Sequence, residues 1–275
     1  MTLLTEPFAY PFMVQALAMA LIVSIPAALL SCFLVLKGWS LMGDGISHAV
    51  LPGIVLAYVA GLPLLIGAFA AGMICALGAG WLDENSRIKS DTTLGITMSG
   101  MFGLGIVIYT QIESRLHLDH ILFGNILGVG RADFLSAGPI ALTVAAILIV
   151  KWRDFAALAF DPVQARVAGL PTRWLHYGLL AMISASVVAM LSAVGIILSV
   201  SLLIAPGAIA FLLTTRLQTM LAVAAGIAAA ASTAGIWASF WLDSAPAPTI
   251  VVILTALFAA SFAYRQVTAR TRHAA

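Results

Sequence analysis

The sequence predicts an all-α, polytopic transmembrane helical bundle of eight or nine spanning elements. Three observations carry that reading. Of the 275 residues, 62% are hydrophobic and only 9% are charged, whereas soluble domains carry about 25% charged residues. The apolar residues fall in runs close to the roughly 20 that a helix needs to cross hydrocarbon. The basic residues stand at alternate ends of those runs. Lys37, Arg87, Lys89, Lys151, Arg153, Arg166, Arg173, Arg216, Arg265, Arg270 and Arg272 share one side, which the positive-inside rule makes cytoplasmic. Only Arg115 and Arg131 lie on the other, close to Glu113, Asp119 and Asp133. No stretch is long enough for a separate soluble domain, so residues 1–275 read as one transmembrane domain.

The first span, 12–36, has no Lys or Arg before it. It lacks the positive leader of a secretory signal and reads as a retained helix running inward, kinked at Pro26. Next come spans at 47–60, 63–82, 94–112 and 134–150. Between the last two, LHLDHILFGNILGVG is short and broken by glycine, an external or partly re-entrant segment. The polar stretch 151–174 is the longest cytoplasmic connection, and a further span runs from 177 to 199. The run 199–217 is interrupted by Pro206 and Gly207 and reads as a short return helix. Spans at 217–241 and 249–264, joined by an external WLDSAPAP turn, complete the set. The Ala- and Gly-rich face at 222–235 is scaffold chemistry, since small residues let helices approach closely in lipid.

One pair of residues breaks the apolar pattern. Asp44 and His48 stand four apart in LMGDGISHAVLPGIVLAY and so share one helical face at membrane depth. An ionisable group there costs roughly 2.5–3.5 kcal/mol on insertion scales and normally faces a cavity, a partner or a passing ion. A structural pairing, with Asp44 capping the helix, is the bland reading. Against it, Asp44 is the deepest carboxylate of any apolar run, and His48 the one clearly intramembrane histidine. Carboxylate oxygen and neutral imidazole suit manganese, iron or zinc, and two residues supply half a coordination shell. A symmetric or pseudosymmetric partner would supply the rest.

Other chemistry is missing from the sequence. There is no phosphate-binding GxxxxGK[ST] loop, no HExxH helix and no GxSxG turn. The chain is therefore read as a non-enzymatic transport subunit that does not hydrolyse ATP itself. Cys32 and Cys75 lie in apolar spans without a CxxC spacing and read as small buried hydrophobes.

Several segments together resemble the membrane permease subunits of ABC-type manganese, zinc and iron importers. They are LKGWSLMGDGISHAVLPGIVLAY, IKSDTTLGI, HILFGNILGV, AFDPVQARVAGL and AVGIILSVSLLIAPGAIAFLLT, in the family's order and over most of the chain. GDxxSHAVLPG is the most specific. The resemblance implies a type II ABC importer-like fold in the bacterial cytoplasmic (inner) membrane. It places Asp44 and His48 in the translocation path of a divalent metal (Mn, Fe or Zn), with no permanently bound cofactor. It also implies three partners: cytoplasmic ATP-binding subunits, an external metal-binding protein, and a second permease that is identical or related. Nucleic acid has no part in it.

The wider relatives, permeases for cobalamin and siderophores, carry a cytoplasmic coupling helix after a proline-containing return segment. The similar place here is 204–218, with Pro206, Gly207 and Arg216, and it is the expected ATPase contact. AFDPVQARVAGL, with Asp161, Pro162 and Gly169, is a second cytoplasmic surface. One departure is the run Asp243-Ser244-Ala245-Pro246-Ala247-Pro248, where family members often have an aspartate followed by a Pro-x-Gly turn. The external turn is stiffer for it. His117, Asp119 and His120 form a second candidate metal cluster on the external side, and a solvated loop is their bland reading. His176 and His273 read as surface residues and Asp91 as a helix cap. The alternatives are a siderophore or other metal-chelate permease, which has no use for two naked ligands, and a proton-coupled secondary metal transporter, whose inverted repeats are not seen.

Overall fold

The computed structural model describes residues 6–112, 124 and 126–273. After a 3-10 turn at Glu6–Ala9, helix α1 spans Pro11–Lys37. Pro11 opens it, where a missing amide is harmless, and Gly38 closes it in the left-handed conformation. Helices α2, Met42–Ala49, and α3, Leu51–Val59, form one interrupted span. Then come α4, Leu64–Asn85; α5, Ser90–Thr110; and, after a 3-10 turn at Ile126–Gly128, α6, Arg131–Phe160. The short α7, Pro162–Val167, leads to α8, Thr172–Val194; α9, Ile196–Leu213; α10, Leu217–Leu242; and α11, Pro246–His273.

Nine segments among the described residues are long and apolar enough to cross a membrane. An odd number of crossings puts Pro11 and Arg265 on opposite faces, as the basic residues require. The count rests on residues 177–217, where the structure departs from the sequence reading. Gly195, with φ 81°, divides this stretch four residues before the expected end of the span. The run beyond Gly195 is no short return helix but α9, an 18-residue crossing with Pro206 inside it. Elsewhere the second span starts earlier than expected, at Met42, because Asp44 sits in the first turn, where the helix dipole favours a negative charge. Helix α6 runs ten residues past its apolar stretch into the basic segment. Asp91 also lies inside a first turn; the cap position is Lys89.

Proline inside α9 removes one amide from the helical ladder, and the turn that carries it is bonded to α1. Ser31 of α1 donates its hydroxyl to the carbonyl of Ile204 at 3.3 Å and accepts from the amide of Gly207 at 2.6 Å. The approach is close enough that a Cβ at Gly207 would lie 2.5 Å from the Ser31 carbonyl carbon. Only glycine fits. Helix α1 is thereby held against α9, with α10 and α6 on its other sides. Helix α10 presents Ala224, Ala228, Ala231 and Gly235 to the interior at helical spacing, as the small-residue face predicts.

The most buried spans are α1, the α2–α3 pair and α8. Cys32 and Cys75 are both free and fully enclosed, in agreement with the sequence reading. Removing the clasp tests its role. Ser31→Ala removes both bonds, each worth about 0.5–1.5 kcal/mol, and should lower the unfolding temperature in detergent. Gly207→Leu should abolish the folded permease. Stability unchanged in both variants would rule the clasp out.

Candidate metal pathway

Asp44 and His48 stand one turn apart on α2, and His48 Nε2 lies 3.5 Å from Asp44 Oδ1. That is long for a hydrogen bond between such groups. It matches the separation of two ligand atoms on one tetrahedral cation, about 3.4 Å for bonds of about 2.1 Å. Among the described residues His48 is the one ion-pair partner of Asp44, and no third His, Cys, Asp or Glu joins them. The two side chains are 37% and 38% exposed on the flank of a single chain. They form an open half of a coordination shell.

The neighbours fix the depth and direction of the pair. Gly43 packs on Leu203, eight residues into the 18-residue α9, and Gly45 packs on Leu94 of α5. Ile46 fills the notch at Gly72 of α4 together with Ser184. Met42, Gly43, Gly45, Ile46, Ser47 and Ala49 are therefore buried, and the face left open carries Asp44 and His48. The His48 ring stands edge-on to Phe102, with centroids 5.6 Å apart and planes at 79°. Ser47 returns its hydroxyl to the Gly43 carbonyl at 2.7 Å, and Pro52 supplies no amide to the His48 carbonyl, so the helix breaks just beyond the pair. Phe102 could not be identified from sequence spacing, since it lies on another helix.

Pro206 and Gly207 are not a cytoplasmic contact surface, contrary to the sequence reading. Both are buried against Ser31, out of reach of any partner outside the bundle. Arg216 is exposed at the cap of α10. The other cytoplasmic segment is built differently. Asp161 caps α7, accepting from the amides of Val163 and Gln164 at 2.9 Å each, and Gly169 ends it with φ 81°. Val163, Val167 and Trp174 are 74%, 84% and 80% exposed around it. His176 is no surface residue: it is half-buried between Trp39 and Tyr177, at 5.2 and 5.4 Å between centroids. His117, Asp119 and His120 lie outside the described residues.

Residues 9–265 match the ABC 3 transport family. The chain belongs to that family. It is 48% identical to the chelated iron transport system membrane protein YfeD of Yersinia pestis, over 97% of this chain and 90% of that one. It is 44% identical to the manganese transport system membrane protein MntC of Halalkalibacterium halodurans, over 92% and 87%. The fold superposes on PsaBC from Streptococcus pneumoniae, solved in complex with Fab, with a TM-score of 0.81, 36% identity, and coverage of 92% and 91%. An inward-facing metal-chelate type ABC transporter shares the fold at a TM-score of 0.67 and 18% identity. The protein is thus a multi-pass membrane permease of the ABC transporter class.

Thiol labelling tests the open face. Native Cys32 and Cys75 are both enclosed, so the unaltered chain should resist a membrane-permeant maleimide. His48→Cys should react, and Ile46→Cys should not. Equal labelling at 46 and 48 would contradict the orientation of α2.

Proposed function

We propose that this chain forms the translocation pathway of an ATP-driven importer of divalent manganese or ferrous iron in the bacterial inner membrane. The Asp44–His48 pair carries this reading: two ligands at the right spacing for one cation, near mid-membrane, on an open face. Two ligands hold an ion weakly enough to release it. A second permease copy facing the first would complete the shell. Helix α5, which carries Phe102, supports such a pairing, because few of its residues are buried and Ser99, Gly100 and Gly103 leave its outer face narrow.

In this reading an external metal-binding protein delivers the ion, Asp44 and His48 of both copies receive it, and ATP-binding subunits on the cytoplasmic side drive the change of access. The α7 region is the ATPase contact. Its exposed Val163, Val167 and Trp174 form an apolar patch that water would not favour, on a helix whose start is fixed by Asp161. The names of the relatives support manganese and iron as cargo. A chelated cargo is the second reading, suggested by the Yersinia relative's name, and it gives Asp44 and His48 nothing to bind.

Uptake assays in cells that also express the ATPase and binding protein separate these readings. Asp44→Ala and His48→Ala should abolish accumulation of the free ion with membrane levels unchanged. Normal free-ion uptake in both would remove the pair from the pathway, and chelate uptake that persists in both variants, with no free-ion uptake by the unaltered chain, would favour the second reading. For the cytoplasmic face, Val163→Asp with Val167→Asp should abolish co-purification of the ATPase, whereas Arg216→Ala should not. The reverse result would move the contact to the start of α10.

A further inference from the structure

Helices α4 and α6 both pack on α8, yet they hardly touch each other. A crevice therefore opens between them with α8 as its floor. At membrane depth it is apolar: Phe69 of α4 and Ile140 and Ile147 of α6 stand over Ala181 and Ala185, around hollows of about 310 and 370 Å³. At the cytoplasmic ends of the same three helices, beside the end of α1, lies a separate polar cavity of about 700 Å³, lined by Trp39, Trp81, Leu158, Arg166, Arg173 and Tyr177 among others.

On α8 the two regions come within one turn of each other: Tyr177 lines the polar cavity and Ala181 the apolar hollows. From 173 to 188 the helix rises about 22 Å. That is close to one leaflet, half of a core of about 30 Å plus a headgroup layer of about 6 Å. Trp81 is 63% exposed at the cavity mouth, the level at which tryptophans gather at a membrane interface.

The charge at the wide end is specific in sign. Arg166 and Arg173 are exposed, and neither makes an ion pair among the described residues; Arg173 lies over the Tyr177 ring at 5.9 Å. Lys37 also lines the cavity. The carboxylate of Asp83 faces it too, accepting from the Ser90 hydroxyl at 2.7 Å. A ligand that is alkyl along about 15 Å, the depth of one leaflet, and anionic at one end fits all of this, and a cytoplasmic-leaflet phospholipid is that ligand.

We infer that the α4–α8–α6 crevice binds an anionic phospholipid, its phosphate between Arg166 and Arg173 and an acyl chain along Ala181 and Ala185. Because Arg166 belongs to α7, the bound headgroup ties that helix to α8. This does not depend on which cargo the permease carries.

Native mass spectrometry of the full chain in detergent tests it, with phosphatidylglycerol and phosphatidylcholine supplied in equal amounts. Phosphatidylglycerol should be retained preferentially. Arg166→Gln with Arg173→Gln should weaken that retention by about fivefold for each arginine, and Arg216→Gln, outside the cavity, should not. Ala185→Trp should expel the lipid without altering any charge; Ala181→Phe serves if that chain does not fold. Equal retention of the two lipids, an unchanged double variant, or retention in the crevice-filling variant would overturn the proposal. Displacement by excess inorganic phosphate would assign the cavity to a small anion instead. If the double variant lost only the co-purifying ATPase, the cavity would be a protein contact.

Discussion

Where two membrane helices approach closely, a hydroxyl of one that bonds to the backbone of the other fixes how they meet. In this chain Ser31 of α1 bonds in this way to α9, donating to Ile204 and accepting from Gly207. The contact requires the two backbones to meet at a position without a side chain. Much of the bundle depends on that seam. Helix α1 is enclosed by α6, α9 and α10, so its placement against α9 also sets the positions of those neighbours. Beside it α9 is long enough to cross in full, which brings the candidate crossings among the described residues to nine.

The candidate metal pair inherits its geometry from the same arrangement. Leu203, the residue before Ile204, packs on Gly43 and fixes the start of α2. Leu94 and the notch at Gly72 hold its other sides. A short helix pinned on three faces presents the fourth, and Asp44 and His48 are on it. Their charge and polarity are costly in hydrocarbon. Burial of six of the eight residues of α2 offsets that cost, and the open face leaves both side chains accessible.

At the cytoplasmic side the two segments that the sequence offers as contact surfaces are built differently. The 204–218 segment holds the bundle together, and its proline and glycine face inward. The exposed apolar residues gather instead around α7, whose capping aspartate and left-handed Gly169 give a six-residue helix defined ends. His176, wedged between Trp39 and Tyr177, links the loop after α1 to the start of α8 just behind it.

The sequence by itself determined the class of the molecule, its sidedness and its candidate ligands. Each of these is a local or compositional property. Length and apolarity of a run decide whether it crosses, flanking Lys and Arg decide its direction, and a spacing of four places Asp44 and His48 on one face. Tertiary structure decided what depends on neighbours distant in the chain. Pro206 lies within a helix that crosses in full, and the hydroxyl that bonds to this helix, that of Ser31, stands 173 residues before Ile204. The burial of Pro206 and Gly207, the ring of Phe102 beside His48, and the crevice between α4 and α6 likewise arise from packing. Hydropathy and spacing report which residues prefer to be enclosed. Only the assembled bundle fixes which of them meet and which faces stay open.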